Sequence, residues 1–200
     1  IDLLKELHKL NKKIVVVLYS GSVVDLSFDI YADSLIHAYL SGQASPKALL
    51  NILTGKVSPS GRLAESYPVT YNDVSTSESF PQDGMTILYK ESIYVGYRYL
   101  NQDKTKIKYP FGYGLSYTTF DIAFDSAEKN EEDVTVKCTV TNTGNYAGKE
   151  AVQVYVSKPC GKLGNPAKEL AAFTKTKVLE PGESETVEIT VPFERFWSYD

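Results

Sequence analysis

Two hundred residues give room for one large domain or two small ones, and 42% hydrophobic with 23% charged residues is globular chemistry that argues against a disordered chain. Twenty-one basic against 25 acidic side chains leave a net charge of −4, which excludes a broad phosphate-binding surface and sets nucleic acid aside as a partner. No apolar run approaches the roughly 20 residues of a membrane span, so no membrane partner is read.

The opening Ile1-Asp2-Leu3-Leu4-Lys5-Glu6 has no basic region ahead of an apolar core and does not read as a signal peptide. With no initiating Met, the chain reads as a piece of something longer. From Leu3 to Leu10 leucines recur at helical spacing, with Asn11 as the expected stop. Ile14 to Leu18 is an uninterrupted β-branched run, the habit of a strand covered on both faces in a parallel sheet. Ser34 to Tyr39 is a second expected strand. Ser45 then reads as an N-cap with Pro46 at the first helical position, Ala48, Leu49, Ile52 and Leu53 continue the helix, and Gly55 ends it. This is α/β rhythm, but two strands and two helices cannot cover both faces of an open sheet. The segment therefore needs strands from elsewhere and is not expected to be stable alone.

Between Val57 and Tyr117 periodicity disappears under Pro59, Pro68, Pro81 and Pro110, and the stretch is far longer than an ordinary connection. Leu88-Tyr89 and Ile93 to Leu100 are too aromatic to be left in water and are expected to pack on a neighbouring domain with short strand character. From Thr118 the pattern is all-β, with strands expected at 119–124, 133–141, 150–157, 168–176 and 185–191. The turns fall at Asn142 to Asn145, Gly161 to Asn165 and Glu180 to Glu183. This spacing suggests a fibronectin type III-like or immunoglobulin-like sandwich, without the Cys…Trp…Cys spacing of the latter, because Trp197 follows both cysteines.

Two cysteines are too few for a disulfide framework. Cys138 shares the side of its strand occupied by valines and reads as a small buried hydrophobe, while Cys160 reads as a turn residue. Low cysteine use and the lack of a leader lean toward a reducing, cytoplasmic setting. Two His and two Cys at no ligand spacing make no zinc site, and His8 and His37 are read as structural. No metal and no cofactor is expected.

Several passages together resemble one family. Gly42-Gln43, Gly55-Lys56-Val57-Ser58-Pro59-Ser60-Gly61-Arg62-Leu63 and Tyr67-Pro68 are similar to the GQ…G…PSG(K/R)L…(F/Y)P passage of family 3 glycoside hydrolases. Tyr89 to Tyr99 resembles that family's Y-x-E-G-I-x-V-G-Y-R-Y, and Pro110 to Phe120 its PFGYGLSYTTF. Asn142-Thr143-Gly144, Gly148-Lys149-Glu150, Gln153-Val154-Tyr155, Pro166 to Leu170 and Leu179 to Ser184 are similar to its fibronectin-like module. The likeness runs in order from about Lys13 to the end. Ser92 stands where the family has Gly, and Ser45-Pro46 where it commonly has a second Gly; both lie in segments that set backbone shape.

The resemblance implies the C-terminal portion of an α/β, flavodoxin-like sandwich over 1–66, an irregular aromatic-rich linker over 67–117, and a fibronectin type III-like β-sandwich over 118–200. It implies a retaining, exo-acting β-glycosidase, most simply a β-glucosidase acting on a β-glucoside or oligosaccharide. The remaining domains of the same enzyme would be its partners: a barrel domain with the Asp nucleophile, and the first half of the α/β domain with the Glu acid/base. Some members occur with the two halves permuted, so either flank is open.

Retaining hydrolysis needs two carboxyl groups about 5 to 5.5 Å apart. Neither family motif for them occurs here, so no catalytic residue is assigned and the chain alone is expected to be inert. Asp25, Asp29 and Asp33 are spaced by four and read as a solvated acidic face. Glu91, between aromatic residues, reads as hydrogen-bonded structure rather than catalyst. Ser20 and Ser22 flank Gly21 with no G-x-S-x-G elbow and no G-x-G-x-x-G fingerprint. Arg62 and Arg98 are each expected to pair with a carboxylate of a neighbouring domain, and Gly112 and Gly114 to make a tight reversal at positive φ. Because open α/β sheets place ligands at the carboxyl ends of their strands, Tyr19 to Asp25 and Tyr39 to Gln43 are the loops expected to line a sugar site in the intact enzyme. The substrate-binding residues themselves stay unassigned. A β-xylosidase or β-N-acetylglucosaminidase of the same family, and a non-catalytic carbohydrate-binding or adhesion module with stacking tyrosines, are the competing readings.

Overall fold

A computed structural model describes residues 1–10, 12–80, 86–159, 162 and 164–198. The stop at Asn11, the break at Pro81 and the turn around Cys160 and Gly161 lie outside the described residues.

Helix α1 (Asp2–Lys9) leads into strand β1 (Val15–Leu18), which pairs in parallel with β2 (Ser34–His37), Val15 opposite Ser34 and Leu18 opposite His37. The parallel pairing expected from the β-branched run is present; its covering is not. Val15 is 48% exposed, and the leucine stripe of α1 lies open at Leu3 and Leu10. Two helices cannot roof both faces of this two-stranded sheet. Helix α2 (Ser45–Leu53) follows, with Ala44 rather than Ser45 at the N-cap. Pro46 still falls in the first turn, where its missing N–H costs nothing. Ser45 is released from capping because its hydroxyl meets those of Ser41 (2.6 Å) and Tyr19 (3.3 Å). Gly55 ends the helix at φ +72°.

The middle of the chain is less irregular than its prolines suggest. Strand β3 (Tyr67–Pro68) pairs antiparallel with β4 (Ile107–Tyr109) across an excursion of about 40 residues. The strand character expected from Ile93 to Leu100 is absent; Tyr97–Leu100 is a one-turn helix, α3, entered at Gly96 with φ +59°. Tyr89 is 92% exposed, against the expectation that this pair of residues is covered.

The third part has five strands where five were expected: β5 (Phe120–Lys129), β6 (Asp133–Asn142), β7 (Ala151–Val156), β8 (Glu169–Lys175) and β9 (Ser184–Pro192). They form a three-stranded sheet in the order β5-β6-β9 and a two-stranded sheet β7-β8. Between them lies a core of Cys138, Val140, Val152, Leu179, Val187 and Ile189, extended by Val156, Ala171 and Val191. Cys138 is the buried free thiol its pattern predicts, and burial raises its pKa. Asn142, fully buried, pins the turn after β6: its amide donates to the carbonyls of Tyr146 and Leu179, both at 2.8 Å, and its carbonyl accepts from Thr118 Oγ1 (2.6 Å) and the Gly144 N–H (3.1 Å).

Two arginines ahead of the sandwich fasten the preceding segments to it. Arg62 forks onto Glu150, Nε to Oε1 at 3.1 Å and Nη2 to Oε2, while Nη1 donates to the Gly114 carbonyl. Both side chains are largely buried, 14% and 11% exposed. Arg98 reaches Glu169 at 3.2 Å, and Lys158 binds the other oxygen of that carboxylate at 3.0 Å. The Tyr97 hydroxyl accepts the Leu170 N–H at 2.8 Å. Of the two expected positive-φ glycines only Gly112 is one, at +80°. Gly114 is required by proximity instead, since a Cβ there would lie 2.5 Å from the Gly61 carbonyl oxygen and 3.0 Å from Arg62 Nη1.

Candidate functional site at the carboxyl ends of β1 and β2

The two loops picked out by sequence, Tyr19 to Asp25 and Tyr39 to Gln43, leave the same end of the parallel pair and meet a third segment, Ala64 to Tyr67. His37, the last residue of β2, is the hub. Its Nε2 lies 3.1 Å from the Ser20 carbonyl, an oxygen that only accepts, so Nε2 carries the proton. Ser20 Oγ donates to the Ser22 carbonyl at 2.9 Å and therefore accepts from the same N–H, at 3.0 Å. Nδ1 is then the acceptor for the Tyr67 hydroxyl at 2.8 Å. Tyr67 is 2% exposed, and burial first, then the neighbouring Tyr39 and Glu65, push its pKa up to about 12. The phenol stays protonated over the whole working range and remains the donor.

Tyr39 stacks on the imidazole, centroids 3.7 Å apart at 21°, and accepts the Ala64 N–H at 3.3 Å. It does so at φ +51°, a left-handed conformation that a bulky residue adopts only when its surroundings hold it there. Ser22 Oγ donates to Glu65 at 3.1 Å, which brings one carboxylate to the rim. The cluster binds both βα loops to the start of the linker through one imidazole, so their relative positions are fixed by side chains rather than by strand pairing.

The acids singled out by sequence do other work. Asp25 caps its own turn through the Ser27 N–H (2.8 Å) and hydroxyl (3.0 Å). Asp29 pairs with Lys108 at 2.8 Å and accepts from the Tyr109 hydroxyl at 3.3 Å. Asp33 takes the Ile14 N–H at 2.9 Å and Lys13 at 2.7 Å. They share no helical face, and with a side chain only 14% exposed Asp29 corrects the expectation of a solvated acidic face. Asp25 serves its own turn, whereas Asp29 and Asp33 tie their segment to Lys108 and Tyr109 and to Lys13 and Ile14. Glu91 accepts from Ser75 Oγ at 2.7 Å, in line with the structural reading of that residue. His8 makes an edge contact with Tyr31 at 5.7 Å. Among the described residues no group of three or more His, Cys, Asp or Glu is placed to hold a metal, and no helix is long and apolar enough to cross a membrane.

His37, Glu65 and Tyr67 were not singled out as site residues by sequence. A lone His in an apolar strand carries no signal of its own, and its partners lie 17 and 30 residues away. The only available hint was that β2 ends at the edge where open α/β sheets place their ligands.

The described residues thus make a partial parallel α/β unit with a polar cluster at its strand ends, joined through ion pairs to a β-sandwich. Residues 1–117 match the family model described as the glycosyl hydrolase family 3 C-terminal domain, and residues 150–200 the fibronectin type III-like domain. The chain belongs to glycoside hydrolase family 3. It is 41% identical over 208 aligned residues to beta-glucosidase A of Butyrivibrio fibrisolvens, covering 94% of this chain and 25% of that protein. It is 39% identical to an exo-alpha-(1->6)-L-arabinopyranosidase of Bifidobacterium longum, covering 100% of this chain and 26% of the relative. Beta-glucosidase 3B of Thermotoga neapolitana, solved in complex with glucose, superposes with a TM-score of 0.90 at 38% identity over 100% of this chain and 29% of its own. The chain thus spans about a quarter of the length of the relatives it matches.

Proposed function

We propose that this chain is the C-terminal part of a retaining, exo-acting β-glucosidase and that it contributes no catalytic carboxylate of its own. Residues 1–66 would complete an α/β sandwich domain, 67–117 would link it, and 118–200 would form the fibronectin-like module. The observation that carries this reading is the identity to β-glucosidases along at least 94% of the chain, through both domain types. The open strand β1 and the uncovered leucines of α1 support it, because a parallel pair needs neighbours on its edges and faces. In the intact enzyme the loops held by His37 and Tyr39 would form one wall of the sugar site, with the nucleophile and acid/base supplied by the other domains. Two carboxyl groups about 5 to 5.5 Å apart are needed, and the cluster as described brings one, Glu65.

Arabinopyranosidases among the relatives support a second substrate reading, and both are separated by one assay. The pure chain is tested on nitrophenyl β-D-glucoside, β-D-xyloside, N-acetyl-β-D-glucosaminide and α-L-arabinopyranoside, then retested fused to the missing portion of the Butyrivibrio enzyme. The expected outcome is no turnover alone and β-glucosidase activity in the fusion. Turnover by the chain alone that disappears in Glu91→Gln or Glu65→Gln would overturn the proposal.

A further inference from the structure

The strand-end cluster turns on a group that can change its charge, the His37 imidazole. Histidine is the side chain that takes up its second ring proton between about pH 8 and 5. In the neutral ring both nitrogens are satisfied, Nε2–H by the Ser20 carbonyl at 3.1 Å and Nδ1 by the Tyr67 hydroxyl at 2.8 Å. A second proton lands on Nδ1 and turns that acceptor into a donor aimed at another donor. The phenol cannot escape by ionising, because burial first, then Tyr39 and Glu65, push its pKa up to about 12. It can accept the new N–H only by turning its own proton away. Among the described residues that hydroxyl has no other hydrogen-bond partner, and Tyr67 is too deeply buried to offer it to water. Leaving a buried donor unsatisfied is costly, so the Tyr67 bond gives way. Nε2 donates in both charge states, and its hold on Ser20 survives.

The remaining neighbours of the ring do not compensate that loss. Tyr39 stacks on its face at 3.7 Å and Glu65 stands beside the cluster through Ser22, and both attract an imidazolium without replacing the bond at Nδ1. Tyr109, edge-on to Tyr67 at 6.3 Å, is a further phenol that burial keeps neutral. On the β1 side Ser20 and Ser22 carry no charge, and Asp25 is engaged in its own turn. The two ends of the Tyr67 bond are not equally free. The Leu63 N–H donates to the Tyr113 carbonyl at 2.8 Å, the Phe111 N–H to Ser66 Oγ at 2.9 Å, and Tyr67 is paired with Tyr109 in the β3–β4 ladder. The other end carries Tyr39, held at φ +51° by its stack on the ring and by the Ala64 N–H. Backbone kept in such a conformation relaxes once its restraints go, so the loop from Tyr39 to Gln43 is the part that moves.

We infer that His37 is a pH-operated latch: singly protonated, it ties the Tyr39 to Gln43 loop to the Ala64 to Tyr67 segment, and a second proton frees that loop while the Ser20 loop stays held. The latch stands on its own geometry; that the freed loop is a wall of a sugar site rests on the function proposed above. In that setting acid would loosen substrate binding through a group that takes no part in the chemistry.

Ring nitrogen NMR of the 200-residue chain tests the latch, with His8→Gln assigning the two histidines. At about pH 8 His37 is expected as the Nε2–H tautomer. As the ring titrates toward about pH 5, hydrogen-exchange protection of the Ala64 amide, the one bonded to Tyr39, should fall about tenfold. Protection of the Ala38 amide, bonded to the Leu18 carbonyl at 2.8 Å, should stay constant. His37→Gln keeps a donor and an acceptor at every pH and should hold Ala64 protection level over the same range. An Nδ1–H tautomer, Ala64 protection that ignores the titration, or an equal response in His37→Gln would each overturn the inference. Loss of Ala38 protection together with that of Ala64 would overturn it too, because the whole unit would then be melting. In the fusion to the Butyrivibrio portion, KM for nitrophenyl β-D-glucoside should rise about threefold more between about pH 7 and 5 with His37 than with His37→Gln. An equal rise would overturn the latch's control of the site, whereas a fusion without turnover overturns the function proposed above and leaves the latch to be decided by NMR.

Discussion

Replacing Arg62 by methionine removes the fork that joins the segment ahead of it to the sandwich, with consequences set by its partners. Glu150 keeps the Ala151 N–H on Oε1 at 2.6 Å but loses every contact to Oε2, in a site where its side chain is 11% exposed. Breaking a fully buried pair costs about 3 to 5 kcal/mol, and the surviving backbone bond with the residual exposure brings Arg62→Met to about 3 kcal/mol. Glu150→Gln keeps an acceptor for Ala151 and for one guanidinium nitrogen, so about 2 kcal/mol is expected. The double variant removes both charges and leaves neither unpaired, for a total near 3 kcal/mol and a coupling of about 2 kcal/mol. Urea unfolding of the four proteins measures these values. Hydrogen exchange should show the loss where it is felt, at the Leu63 and Gly112 amides, which bond to Tyr113 and Leu63 across the docking turn at 2.8 Å. A single-variant cost below about 0.5 kcal/mol, or strictly additive effects, would show that the pair is a surface contact in solution and that the docking account is wrong.

Gly114→Ala should destabilise by about 1 to 3 kcal/mol, read as a lower urea midpoint, because the new Cβ meets a backbone oxygen that cannot move aside. Ser92 holds φ +51° where the family has Gly, so Ser92→Gly should raise stability by up to about 1 kcal/mol, the relieved strain slightly exceeding the added chain entropy. Asn142→Ala strands four backbone and hydroxyl partners inside the sandwich and should cost about 3 kcal/mol by thermal melting, and Asn142→Asp should give no rescue, because a carboxylate has no proton for the Tyr146 and Leu179 carbonyls. Asp33 is held below its ordinary value of 3.8, first by the hydrogen bond from Lys13 and then by the Ile14 N–H. A depressed carboxyl stabilises above its unfolded pKa and loses that contribution as pH falls through the folded value. The fall in stability as pH drops below the ordinary value of 3.8 should therefore be shallower in Asp33→Asn, and an unchanged slope would count against it.

How much of this was legible in sequence depended on how local each determinant is. The Ile14 to Leu18 run announced a parallel strand because its signal is carried within five residues, and the five sandwich strands followed from alternation punctuated by turns. The arginine pairings were foreseen as kind but not as partner, since Glu150 and Glu169 lie 88 and 71 residues away. Helix α3 was read as a strand because Tyr, Ile and Val favour strands; the positive φ at Gly96, a tertiary requirement, turned the chain into a helical turn instead. The β3–β4 ladder escaped because two or three paired residues carry no periodicity. The two loops follow from where β1 and β2 end, while the His37 hub was invisible: imidazole chemistry is set by what faces each nitrogen, and Ser20 and Tyr67 come together only after folding.

The Arg62, Gly114 and Glu150 contact has a consequence for how members of this family could exchange parts. Its three members come from three separated stretches: the Gly61 carbonyl and the Arg62 guanidinium together close the space a Cβ at 114 would take, and the carboxylate neutralises the guanidinium. None of the three can drift singly. A sandwich module transplanted between homologues at a junction such as residue 118 leaves Arg62 and Gly114 with the recipient and brings position 150 from the donor. Crossovers that preserve an acid there are expected to keep the contact, while those that do not would leave the Arg62 guanidinium without its carboxylate. The fork therefore acts as a compatibility rule for recombination, written in a single ion pair.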